Sequence, residues 1–548
     1  MRILLGFGLL LLCSIAPAQV APGKYLVVFS DKNNNSYSLE NPEEYLSQRA
    51  LERRKKYRIP LDESDLPVSR LYLDSLEKSG FEVLVTSKWF NSAVITSFDT
   101  LQIKKLADLS FIKNIPFLYG KEIRTCKKKV EKFIEHEYTS FVDTFSNDYG
   151  VAAWQIELQN GISLHQKGYL GKGLHIAVLD AGFTNAPDMP TLGHLFQNGQ
   201  VLGTRDFVNP RSEFFSSHSH GTYVLSVMGG YWPSRYIGTS PEASYWLIRT
   251  EDAASEFIIE EENWIAGAEF ADSAGADIIN TSLGYTTFDF PFQNHTIEEM
   301  DGQSTRISIA SNIAASKGML LVTSAGNQGD DPWKYISAPA DAPMILSVGA
   351  VGKDSLPASF SSYDVPATKE IKPDIAAAGK NTYAQRSDST LARVNGTSLS
   401  SPVITGLAAC LWQAFPEAAN HDIIMAIKKS ASHYLSPHPQ MGYGIPDFDK
   451  AFTILEFEKF LNKKNIRVLV YPNPFTNKVI INTIVTNKWV EMNIFDLSGR
   501  IVFKDFFMAN PGNYNEFEIS GLENLTPGVY IVKIRDGDNS FTSKIFKF

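Results

Sequence analysis

"GKGLHIAVLDAGF", Gly171 to Phe183, places an almost wholly apolar run between glycines and ends it on an aspartate. Such a run reads as a strand buried on both faces. The pattern recurs in "SYWLIRT" (244–250), "DIINTSL" (277–283), "MLLVTSAGN" (319–327) and "MILSVGAV" (344–351). Helix-like segments lie between them, "ENWIAGAEFADSAGA" (262–276) and "TRISIASNIAASKG" (305–318) among them. Apolar strands alternating with helices predict an α/β fold, a parallel sheet covered by helices on both faces, over residues 146–465. In such sheets binding groups gather beyond the carboxyl ends of the strands.

Polar groups at strand ends and helix starts therefore carry the functional reading. Asp180 ends the opening strand, and Asn327 ends "LLVTSAGN" among small residues. His220 sits in "SSHSHGTYVLSV" at a glycine-hinged helix start. Alone, each reads as a turn former or cap. "NGTSLSSP" (395–402) sets Thr397, Ser398, Ser400 and Ser401 ahead of an apolar helix spanning Val403 to Phe415. Pro402 predicts that this helix starts just before it, because proline is tolerated in a first turn. Capping accounts for hydroxyls at such a start. The second reading is a nucleophile at a site where free N–H groups favour negative charge.

Together the four supply what acyl transfer needs. A serine is a poor nucleophile until a base takes its proton. Imidazole suits that task near neutral pH, a carboxylate holds its tautomer, and an amide donor stabilises the oxyanion. His218 and His220 would make half a metal site, but no second cluster completes it, so no metal is assigned.

In this order and context, "VLDAGF", "HSHGTYVLSV", "NTSLGY", "TSAGN" and "NGTSLSSP" resemble the motifs of the subtilisin-like serine proteases, and "MGYGIPDFDKA" (441–451) resembles the segment closing their catalytic domain. The resemblance implies a secreted endopeptidase in which Asp180 orients, His220 is the base and Ser398 the nucleophile. The Asn327 side chain and the Ser398 N–H would form the oxyanion hole. Ser282, Leu283 and Gly284 would pair with an extended peptide by strand addition. Ala181 and Tyr223 depart from the usual Thr or Ser and His. No cofactor is required for the chemistry; the family's structural calcium is allowed, but no loop places it. A silent binding protein on the same fold is the alternative, and the complete residue set argues against it.

The flanks give these residues a setting. Residues 1–18, "MRILLGFGLLLLCSIAPA", read as an export signal. Residues 19–145 read as a small α/β unit followed by a linker with the charge run "KEIRTCKKKVEKF" (121–133). Asn41 and Pro42 predict the start of its first helix. "LSQRALERRKKYRI" (46–59) resembles propeptides of secreted Bacteroidetes proteases, which implies an intramolecular inhibitor cut off between residues 120 and 149. Residues 466–548 read as short alternating strands with Gly, Asn and Pro turns, a β-sandwich. There "YPNPF", "MNIFDLSGRIV", "LTPGVYIVKI" and "KIFKF" resemble the sorting domain of type IX secretion, which implies a secretion-machinery partner and passage through the periplasm to the surface or medium. Net charge of −9 gives no sign of a nucleic-acid partner. Three cysteines in 548 residues exclude a disulfide framework.

Overall fold

The structure is a computed structural model that describes residues 19–116, 148–366, 370–464, 468–510, 514–537 and 539–548. The export signal, the charge run 121–133, Cys13 and Cys126 lie outside the described residues. The chain divides into two compact units, Met1–Phe452 and Thr453–Phe548.

The first unit begins with an antiparallel sheet. Its strands are β1 (Gln19–Ala21), β2 (Lys24–Phe29), β3 (Glu82–Ser87), β4 (Ser92–Thr96) and β5 (Ile112–Asn114). The order is β1-β2-β4-β3, with β5 on β2. Helices α1 (Gln48–Tyr57), α2 (Arg70–Lys78) and α3 (Thr100–Leu106) accompany it. The start expected at Asn41 and Pro42 is corrected: only a short 3-10 turn, Pro42–Glu44, follows Asn41. Helix α1 begins at Gln48 because the Ser47 side chain accepts from the Ala50 N–H, while Asn41 makes no such cap.

The same unit continues with the parallel sheet read from the sequence. Its strands are β6 (His175–Asp180), β7 (Val201–Asp206), β8 (Ser244–Arg249), β9 (Ile278–Thr281), β10 (Leu320–Ser324), β11 (Leu346–Val351) and β12 (Ile375–Ala378). The order is β12-β11-β10-β9-β6-β8-β7, and every pairing is parallel. Helices α4 (His220–Gly229), α5 (Ile259–Ala274), α6 (Arg306–Ser316), α7 (Thr397–Ala414) and α8 (Asn420–Ser430) complete the architecture. Strands β9 to β12 are buried at every residue, as continuous apolar runs require.

Helix α5 joins the two sheets' territories. Glu269 accepts from Ser87 Oγ at 2.6 Å and from the backbone N–H groups of Lys88 and Trp89 at 2.8 and 3.0 Å. Asp272 is bound by Arg53 at 2.6 Å, Arg54 at 2.8 Å and Lys88 at 3.3 Å. Arg54 and Lys317 both hold Asp65, at 2.7 and 3.0 Å. These groups are buried; Asp272 and Asp65 have opposite charges as partners, and Glu269 is satisfied by neutral donors. Burial alone would raise the Asp272 carboxyl; Lys88, Arg53 and Arg54 outweigh it and hold it well below the usual range.

The second unit contains two antiparallel sheets. One has three strands, β13 (Val468–Tyr471), β14 (Val479–Ile484) and β17 (Tyr514–Ile519); the other has four, β15 (Trp489–Asp496), β16 (Ile501–Met508), β18 (Gly528–Asp536) and β19 (Asn539–Lys547). One apolar core takes Val470, Val479 and Ile481 from the first and Met492, Ile494 and Val532 from the second, which makes a β-sandwich.

Candidate active site

Asp180 ends β6 and is fully buried. His220 opens α4. Two glycines bring them together: Gly221 N–H donates to Gly182 O at 2.9 Å, and a Cβ on Gly221 would meet that oxygen at 2.5 Å. The result is a 2.8 Å hydrogen bond between His220 Nδ1 and Asp180 Oδ1. Asp180 Oδ1 also accepts from Ala181 N–H at 2.7 Å, whereas Oδ2 is buried without a hydrogen-bond partner among the described residues. His218 Nδ1 accepts from His220 N–H at 3.2 Å, a contact within its own turn.

The third element is α7. It starts at Thr397, so Pro402 lies inside the helix rather than at its first turn. The expectation from Pro402 is therefore corrected, and the physical reason is visible. Proline has no N–H to give the carbonyl four residues back, which is Ser398 O. That oxygen instead accepts from Ser282 Oγ at 2.9 Å. Ser398 Oγ in turn donates to Ser282 O at 3.3 Å. The turn after β9 is thereby tied to the first turn of α7 in both directions.

Thr397 performs the local bonding expected of it. Its N–H and Oγ1 both donate to Asn327 Oδ1 at 2.9 Å, and its Oγ1 accepts from Gly326 N–H at 3.2 Å. With its oxygen held there, Asn327 keeps Nδ2 as the donating end. Gly396 precedes the helix at φ +154°, and a Cβ there would lie 3.6 Å from Asn327 Nδ2. Ser401 donates to Asn280 Oδ1 at 3.1 Å. Ser400 departs from its expected role, since its buried hydroxyl has no hydrogen-bond partner among the described residues. Cys410 is core: fully buried, its thiol is pushed up by burial and directed at Thr239 O at 3.2 Å.

His220, Asn327, Ser398, Ser282, Leu283 and Gly284 line one cleft at the carboxyl edge of the sheet. Asp180 stands behind His220. The cleft also takes Glu251, Gln328 and Ser337, which sequence reasoning missed. Glu251 lies two residues past the end of β8, in "RTEDAASE", where an acidic run reads as solvated turn. The structure brings it to the site because Arg249 pairs in register with Asp180. Glu251, Glu256 and Glu260 bring their carboxylate oxygens within 4.8 Å of one another, and they are the group of acidic or imidazole side chains among the described residues with spacing suited to a cation.

The parallel sheet and its topology are those of a subtilisin-like serine peptidase. The chain belongs to the subtilase family, whose model matches residues 171–445. The peptidase S8 propeptide domain of Bacteroidota matches residues 24–134, and the secretion system C-terminal sorting domain matches residues 469–547. Among curated relatives, the thermostable alkaline protease of Halalkalibacterium halodurans is 28% identical over 285 residues, 52% of this chain and 69% of that protein. Subtilisin Savinase of Lederbergia lenta is 29% identical over 280 residues, 51% of this chain and 91% of the relative. Subtilisin E of Bacillus subtilis is 27% identical over 365 residues, 66% and 80% of the two chains. Among solved structures, MycP1 from Mycobacterium smegmatis aligns with a TM-score of 0.45 at 22% identity, covering 59% of this chain and 89% of that one. The protein is a subtilisin-like serine endopeptidase made with a propeptide, and its sorting domain marks it for secretion or the cell surface. Among the described residues no helix is long and apolar enough to cross a membrane.

Proposed function

We propose that Asp180, His220 and Ser398 form the catalytic triad of this endopeptidase. The observation that carries the assignment is the buried 2.8 Å contact of His220 Nδ1 with Asp180 Oδ1, in a chain whose cleft holds His220, Ser398 and Asn327 together. With Asp180 as acceptor, Nδ1 carries the proton and Nε2 is the lone-pair nitrogen that serves as base. Ser398 exchanges its long bond to Ser282 O for one to Nε2 as substrate enters, a tightening usual on going from the free site to the complex. Its oxygen attacks the scissile carbonyl while the proton passes to His220, which then delivers it to the leaving amine. Water repeats the sequence on the acyl-enzyme. Asn327 Nδ2 and the Ser398 N–H stabilise the oxyanion. Ser282, Leu283 and Gly284 pair with the extended substrate. No metal takes part in these steps.

The unit before residue 117 acts as an intramolecular inhibitor and folding aid, removed by a cut between residues 120 and 149. The C-terminal unit directs type IX export from the periplasm, after an export signal at residues 1–18. The deciding experiment expresses residues 19–465 as they stand and as Ser398→Ala, following propeptide cleavage and casein hydrolysis. The unaltered chain matures and cuts. The variant does neither, with a loss in turnover on the order of 10⁶-fold. Equal behaviour of two folded proteins overturns the triad assignment.

A further inference from the structure

Among the described residues lining the cleft, Ser337 alone carries a buried side-chain atom without a hydrogen-bond partner. The residue is fully buried. Buried hydroxyls are nearly always satisfied, because leaving one unpaired is unfavourable. An orphan that faces a substrate cleft points to a group arriving from outside. Ser337 is held in place by its backbone: its N–H donates to Ala325 O at 3.3 Å, and its O accepts from Ala340 N–H at 2.8 Å.

Two glycines open onto this hydroxyl. A Cβ on Gly284 would lie 2.1 Å from Ser337 Oγ, and one on Gly326 would lie 3.1 Å from it. Gly284 ends the segment assigned to pair with substrate, and Gly326 precedes Asn327, the oxyanion donor. The residue before the cut has its backbone along the first and its carbonyl at the second. Its side chain therefore enters the gap between the two glycines, with Ser337 Oγ facing that gap.

Gln328 adds a second polar group beside Gly326, its Oε1 lying 2.3 Å from where a Cβ on that glycine would stand. This oxygen accepts from Ser362 Oγ at 3.0 Å, and the same Oγ accepts from the Gln328 N–H at 3.1 Å. With its oxygen held by a donor, Gln328 keeps Nε2 as the donating end. The pocket thus offers a hydroxyl that can accept and an amide nitrogen that donates. A carboxamide answers both, through its own N–H and its own oxygen. An apolar side chain of equal size excludes water and leaves Ser337 Oγ unpaired. No lysine or arginine is among the described residues lining the cleft, so an acidic side chain meets no counter-charge there.

We propose that Ser337, assisted by Gln328, makes the enzyme selective for an asparagine or glutamine side chain on the acyl side of the scissile bond. This rests on Ser398 as nucleophile and deepens that reading by naming the substrate class.

The test uses mature enzyme produced from the full chain. Peptides differ only at the residue before the cut, and product masses locate the cut. Asn is compared with Leu, and Gln with Met, pairs close in size that differ in polarity; Asp, Glu and Lys complete the set. For at least one pair, kcat/KM of the amide exceeds that of the apolar partner by about 10-fold or more, and it exceeds that of every charged residue. In Ser337→Ala the amide-to-apolar ratio falls by about 10-fold, with amide peptides cut more slowly and apolar ones faster. A general loss of structure would slow both. The exchange removes no hydrogen bond of the hydroxyl within the described residues. An apolar or charged residue preferred by the unaltered enzyme overturns the proposal, whether or not the variant folds. So does an amide preference that Ser337→Ala leaves intact. In either case, cutting that Ser398→Ala abolishes leaves the triad standing. If the unaltered enzyme cuts no peptide, the triad reading fails and the proposal falls with it.

Discussion

Ser282 joins substrate alignment to the nucleophile through a single hydroxyl. Its Oγ satisfies Ser398 O, the carbonyl that Pro402 leaves without a helical donor. Ser282→Ala leaves that half-buried oxygen without its donor, at a cost of about 1 kcal/mol. Urea denaturation of the mature enzyme checks this through its midpoint. Asn327→Ala removes the amide donor and lowers kcat by roughly 10²–10³ with KM little changed. Steady-state kinetics on one peptide substrate separates the two quantities. At this scale the sequence was informative where a polar residue interrupts small or apolar neighbours. Asp180, Asn327 and Ser398 were singled out that way. Gln328 and Ser337 have no such contrast, and only the fold brings them to the cleft.

Two helix starts show how local rules compete. Pro402 suggested a start that the structure moves upstream to Thr397, because a side chain from another element replaces the missing donor. Asn41 and Pro42 suggested a start that Ser47 takes instead. In both cases the sequence held the winning group, but nothing local ranked it. Helix α5 carries a prediction of its own. Asp272 has a depressed carboxyl in the full chain. Its contribution to holding the propeptide is complete above the free carboxylate value, about 3.9, and is lost as pH falls through the depressed value. Glu269 works the other way: burial raises it, so it favours the bound form as protons are added. Asp272→Asn separates the two. It weakens propeptide retention by about 100-fold or more at neutral pH, since a buried pair broken on one side costs about 3–5 kcal/mol. It also removes the Asp272 share of the acid release. Gel filtration of the cut chain across pH reads both effects.

For the whole molecule, the order of units was legible because each has its own periodicity. Continuous apolar runs mark the parallel sheet, and alternation such as that of β18 marks the sandwich. What packs against what was not legible. The contact of α1 with α5 joins residues 218 apart in sequence, and no local pattern announces it. The C-terminal unit yields a test at this scale. Deleting residues Val468 to Phe548 leaves the protein in the periplasm, and fractionation of cells and medium checks it; normal delivery of the shortened chain would refute the export role.

The buried cations and carboxylates between α1 and α5 have a consequence for life outside the cell. Interactions between exposed charges fade with ionic strength, while buried ones are screened far less. A secreted enzyme cannot choose the salinity it meets. Because Arg53, Arg54 and Asp272 are shielded from solvent, the grip of the uncut propeptide should be nearly the same in fresh water and in brine. Latency is then indifferent to the salinity of the medium.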